Sequence, residues 1–104
     1  MSWILLTIAG ALEVIWAYFM KQSQGFTRPI PSVVTVVTMI ASFVLLSLSM
    51  RTLPLGTAYT IWTGIGAVGA FLVGGFVLGE PVTALRASAA ALIVTGLVIM
   101  KLAP

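Results

Sequence analysis

Four long apolar runs, separated only by short polar links, constrain this chain more than any other feature. They cover approximately Trp3–Met20, Pro31–Met50, Leu55–Leu78 and Ala84–Met100. A helix rises ~1.5 Å per residue and the hydrocarbon core of a bilayer is ~30 Å thick, so runs of roughly 17 to 24 residues just cross it. Inside lipid every backbone amide must find its partner within the segment, which makes each run a helix. A soluble bundle would need a polar face on each helix. With 61% hydrophobic and 7% charged residues, this chain would instead show water large apolar patches. The fold class is therefore an all-α integral membrane protein, a single transmembrane domain over residues 1–104 with four transmembrane helices.

The links are too short for a soluble domain. Residues 21–30, Arg51-Thr52-Leu53-Pro54 and Gly79-Glu80-Pro81-Val82-Thr83 hold the turns, each punctuated by Gly or Pro. Trp3 and the basic residues fall where interfacial anchors belong, so membrane lipids are the expected surroundings. No cleavable signal peptide is expected, because the first apolar run lacks a basic leader and contains Glu13. Cys and His are both absent, which excludes disulfides, thiol chemistry and the usual zinc sites. No metal site or cofactor is expected. The net charge of +3 comes from basic residues scattered singly between apolar runs, not from the stripe that nucleic-acid binding needs.

Charge placement bears on orientation. With four spans, Arg51 and Lys101 share one side with the N-terminus, while Lys21, Arg28 and Arg86 share the other. Cytoplasmic loops normally carry a clear Lys/Arg excess, and here the two sides nearly balance. Either a weak bias fixes one topology, or both orientations are made and pair as an antiparallel, dual-topology homodimer.

Glu13 is the ionisable residue deep inside a span, about 15 Å along the helix from Trp3 and near the midplane. A charge there costs at least ~2.5–3.5 kcal/mol, so such a residue is a functional candidate by default. A protonated glutamate that merely bonds a neighbouring helix is the bland alternative, but Gln would do that without the penalty. Gly10 and Ala17 flank Glu13 at helical spacing, and Trp16 lies one turn along the same face. In the third helix Tyr59, Trp62 and Gly66 form a stripe. In the second, Thr35, Thr38, Ser42 and Ser49 form a weakly polar one. A cation in a dry site wants a carboxylate for charge and aromatic faces for the quadrupole interaction, with Tyr, Trp and Ser donors to orient the carboxylate. From the residues alone the reading stops at transport of a small cation. Gly66, Ala70 and Gly74 give a small face for close helix approach, and Gly64-Ile65-Gly66 suits either packing or a hinge. Small residues of the fourth helix (Ser88, Ala89, Ala91, Thr95 and Gly96) suit a helix–helix contact between subunits. Glu80, beside Pro81, reads as a solvated loop charge or helix cap.

Across essentially its whole length the chain resembles the small multidrug resistance family, and most closely the guanidinium-exporter subtype. The segments that carry the resemblance are EVIWAYFMK (13–21), GFTRPIPS (25–32), LPLGTAYTIWTGIGA (53–67), GEPVTALR (79–86) and LIVTGL (92–97). The resemblance implies a bacterial inner-membrane, proton-coupled antiporter and not an enzyme. Its working form would be an antiparallel homodimer with both membrane-embedded glutamates in one pocket. Glu13 would bind substrate and protons, the coupling ion. Gly10, Trp16, Ser42, Tyr59 and Trp62 would shape the pocket, with the helix bend at Gly64 and Gly66. Guanidinium suits such a site, being planar, permanently charged and rich in N–H donors that a carboxylate accepts in pairs. Met39 and Phe43, near Ser42 on the second helix, donate no hydrogen bonds and would form a portal for the alkyl tail of a substituted guanidinium.

The competing reading within the class is export of quaternary ammonium and other multidrug cations. Outside it stand a rotor-type proteolipid, disfavoured by four spans with paired aromatics, and a membrane assembly factor, which would tolerate Gln in place of Glu13.

Overall fold

A computed structural model describes residues 2–103 of the chain. Its helices are α1 (Ser2–Gln22), α2 (Pro29–Ser49), α3 (Leu55–Phe76) and α4 (Ala84–Leu102). All four are long and apolar enough to cross a membrane. The boundaries differ from the sequence expectation by two residues at several ends, each for a local reason. α1 runs past Met20 to Gln22, where Ser23 stops it. The Ser23 hydroxyl donates to Met20 O (2.6 Å) and accepts from the Phe26 amide (3.1 Å), while Gln24, Gly25 and Phe26 all take left-handed φ values of 50°, 74° and 64°. α2 starts at Pro29, before Pro31, because a proline at the first helical positions gives up an amide that had no partner there anyway. α3 ends at Phe76, short of Leu78. Gly79, at φ 72°, reverses the chain so that the Glu80 amide reaches back to Gly74 O at 2.9 Å. This C-terminal cap uses the left-handed region that glycine enters freely. Thr83 caps α4 by accepting from the Arg86 amide at 3.1 Å.

Packing follows the order α2–α1–α3–α4. α1 is the central helix, packed against α2 and α3; the α4 backbone packs against α3 alone and reaches α1 only through side chains, with Lys101 over the Trp3 ring. The core is correspondingly small: Leu6, Ala9, Leu46, Ala58, Ile61 and Trp62, all from α1, α2 and α3. No described residue of α4 is buried. A hydroxyl in a span is costly to leave without a partner. Thr7, Thr35, Thr38, Ser49, Ser88 and Thr95 find one by donating to a carbonyl of their own helix three or four residues back. Ser42 instead donates to another helix, at Ala9 O of α1, and it lies beside the site.

Candidate functional site: Glu13 and its aromatic surround

Glu13 sits on the α1 face that meets α3. A methyl group added at Gly66 would collide with the Glu13 carboxylate. The glycine is thus what lets the carboxylate lie flat on the α3 backbone. One turn earlier, Gly10 meets Ile65 in the same way (2.6 Å from an added Cβ), and Gly69 meets Val14 on the other side. The α1–α3 seam is therefore knit by small residues of one helix receiving side chains of the other. Such close approach is the usual basis of packing in membranes, where apolar contact alone gives helices no preference over lipid.

Glu13 Oε1 is buried and has no hydrogen-bond partner among the described residues, and the same is true of Trp16 Nε1. One is an acceptor and the other a donor, one helical turn apart. A buried polar group without a partner costs ~1–3 kcal/mol. Two of them one helical turn apart mark a site whose polar demands the described residues leave unmet.

Ser42, Trp62 and α1 form a relay of hydrogen bonds. Trp62 Nε1 donates to Ser42 Oγ at 3.0 Å, and Ser42 Oγ donates to Ala9 O at 2.7 Å. Ala9 O is also the carbonyl that the Glu13 amide reaches in an α-helix. Ser42 therefore ties α2 and α3 to the turn that carries Glu13. Sequence reasoning offered the Ser and Trp donors as direct partners of the carboxylate. In the structure Trp62 bonds Ser42 and Ser42 bonds the α1 backbone instead, while the Trp16 N–H has no partner among the described residues. The rest of the α2 polar stripe does not join the site either, since Thr35, Thr38 and Ser49 are spent on their own helix.

The aromatic rings form a continuous chain, edge-to-face at two contacts and tilted at the third. Trp16 and Phe43 lie 6.4 Å apart at 77°, Phe43 and Trp62 5.7 Å at 64°, and Tyr59 and Trp62 5.6 Å at 53°. These separations and tilts are the favoured ones for aromatic pairs. Trp62 is buried, whereas Tyr59 (52% exposed) and Phe43 (46% exposed) lie at the open rim. Met39 is half-buried on α2, one turn from Phe43. The structure thus brings Glu13, Trp16, Ser42, Phe43, Trp62 and Tyr59 to one region and puts Gly10 in the seam beneath it.

Gly64 belongs elsewhere: it faces α4, where an added Cβ would collide with Leu97. α3 runs unbroken through Gly64 and Gly66. A groove of about 530 Å³ also lies on the α4 side, between α3 and α4, lined by Tyr59, Thr63, Gly64, Leu97 and Met100 among others. Only Tyr59 joins it to the Glu13 region. Glu80 is exposed at the end of α3, its carboxylate folded onto Gly74, which makes it part of the cap. Among the described residues no three acidic, His or Cys side chains come together to hold a metal ion.

Comparison with known proteins gives the lineage. The family description "Small Multidrug Resistance protein" matches residues 1–101. The chain is 54% identical over 102 residues to proteins named "Guanidinium exporter" from Citrobacter freundii, Salmonella typhimurium and Escherichia coli K12, an overlap of 98% of this chain and 97% of each relative. With four membrane-crossing helices and a family match over nearly its full length, this multi-pass membrane protein belongs to the small multidrug resistance family.

Proposed function

We propose that the protein is a proton-coupled antiporter of the bacterial inner membrane that exports guanidinium and small substituted guanidinium cations. It does so as an antiparallel homodimer. The carrying observation is the Glu13 carboxylate, set on Gly66 within a span with Oε1 buried and unpartnered, one helical turn of α1 from Trp16, whose N–H is also unpartnered. Near-full-length similarity to proteins named as guanidinium exporters supports the substrate class. The open order of the helices supports the dimer: a second subunit on the exposed Tyr59–Phe43 rim would close the site and bring a second Glu13 into it.

In this reading the two carboxylates bind either protons or one planar cation, and mutually exclusive occupancy couples the two flows. The guanidinium fork offers paired N–H donors to carboxylate oxygens. Trp16 and Trp62 supply aromatic faces worth up to ~2 kcal/mol to a desolvated cation. Ser42 holds the Glu13 turn. Met39 and Phe43, at the rim, admit an alkyl tail. Gly64 and Gly66 let α3 bend as the access side changes. The protein acts as a transporter, not an enzyme, and needs no cofactor beyond the coupling protons.

The test is guanidinium flux into liposomes under a pH gradient. Wild-type protein should move guanidinium, and Glu13→Gln should abolish coupled flux while leaving insertion and dimerisation intact. Proton-driven flux at the wild-type rate in Glu13→Gln would refute the assignment. Strong currents with bulky aromatic or quaternary cations and weak ones with guanidinium would move the protein to the multidrug reading.

A further inference from the structure

We propose that the groove between α1 and α4 is a binding site for one anionic phospholipid, with the headgroup at Lys101 and an acyl chain along the helices. The two helices flank α3 without their backbones meeting. Between them runs a groove of about 260 Å³ whose walls include Thr7 of α1, Ile61 and Ile65 of α3, and Val98 of α4. Its mouth is Trp3 and Lys101, with the Lys101 ammonium 5.3 Å from the centre of the Trp3 ring. Thr7 offers no free donor to the groove, since its hydroxyl is used on Trp3 O at 2.8 Å. The interior is thus apolar and the one charge at its mouth is positive.

The charge at this end of the molecule selects the occupant. The Ser2 and Thr52 hydroxyls are hydrogen-bonded, which places the α2–α3 turn beside the start of α1. Arg51 and Lys101 are therefore at the same end as Trp3, whereas Glu80 lies at the opposite end and Glu13 within the span. No acidic side chain among the described residues competes for Lys101 at this end. A tryptophan at headgroup depth, an ammonium held over its ring and an apolar trough descending from both match a phosphate head with a hydrocarbon tail. A juxtamembrane lysine favours an anionic over a zwitterionic lipid by about fivefold. The inference does not depend on what the transporter carries.

The experiment is native mass spectrometry of the purified, delipidated full-length protein titrated with phosphatidylglycerol or phosphatidylcholine. One phosphatidylglycerol per subunit should be retained with about fivefold preference over phosphatidylcholine. Lys101→Gln should remove the preference and Lys101→Arg should keep it. Val98→Trp, which fills the groove from its exposed wall, should lower retention of both lipids. Because the chain has no cysteine, Val98→Cys gives a unique probe that does not rely on the filled variant folding. It should remain uncrosslinked under oxidation in membranes. Equal retention of the two lipids by wild type, or a preference that survives Lys101→Gln, would mean ordinary annular lipid and overturn the proposal. Disulfide-linked dimers of Val98→Cys would show that a second copy covers the groove, which overturns it too.

Discussion

Ser42 shows how much one hydroxyl can organise in a dry interior. It accepts from Trp62 and donates to Ala9, so the Trp62 N–H depends on it for an acceptor and α2 is tied to the α1 backbone through it. Ser42→Ala leaves the buried Trp62 N–H without an acceptor, at an expected cost of ~1–3 kcal/mol. Replacing both partners with apolar groups removes the demand as well as the supply. The double variant Ser42→Ala/Trp62→Phe should therefore lose less than the sum of the single losses, measured by denaturant unfolding in mixed micelles. Strict additivity would mean that the two side chains are not coupled. Gly66 makes the complementary point. An alanine there drives a methyl group into the Glu13 carboxylate. Gly66→Ala should weaken guanidinium binding at least tenfold in equilibrium titrations, as a backbone-level displacement of the binding group would. Gly56→Ala, whose new methyl group meets open space, should bind as wild type does.

At the scale of the element, the two roles of glycine in α3 can be separated. Gly64 receives Leu97 of α4, and α3 is the one helix whose backbone packs against α4. If packing is the whole role, Gly64→Ala should cost ~1–3 kcal/mol by overpacking, and Leu97→Ala in the same chain should relieve much of it. If Gly64 is also the bend that α3 uses during transport, stability should return in the double variant while flux does not. Measuring unfolding and flux on the same preparations distinguishes the two. The ends of the helices obey simpler rules. Ser23, Pro29, Gly79 and Thr83 each stop or start a helix through one local bond or one backbone angle, and none depends on the site.

For the whole molecule, the consequence of the α2–α1–α3–α4 order is openness. Half of the aromatic chain, Tyr59 and Phe43, stands at the surface of the subunit, and α4 buries no described residue. A second subunit in the opposite orientation is the proposed complement. The near balance of Lys and Arg between the two sides predicts that C-terminal tags are found on both sides of the membrane. Two basic residues added to one side should lock orientation and reduce transport. Co-expression of oppositely locked variants should restore it. A single fixed topology in the unmodified protein would count against the antiparallel dimer.

The helices were legible in the sequence because the bilayer sets their length and leaves the backbone no alternative, and Glu13 stood out because a midplane carboxylate is costly wherever its neighbours lie. Family motifs added the likeness that the comparisons bear out. Helix ends shifted by two residues because caps such as Ser23 and Gly79 act through single hydrogen bonds and angles that hydropathy does not record. Spacing alone placed Ser42 on a stripe with Thr35, Thr38 and Ser49. It could not separate a hydroxyl that reaches across to another helix from three that bond their own, because that depends on which helix stands opposite. Nor did it separate Gly66, under the carboxylate, from Gly64, under Leu97, although they are two residues apart. Periodicity assigns a residue to a face of its own helix. Only the packing of α1 and α4 on different sides of α3 decides what that face meets.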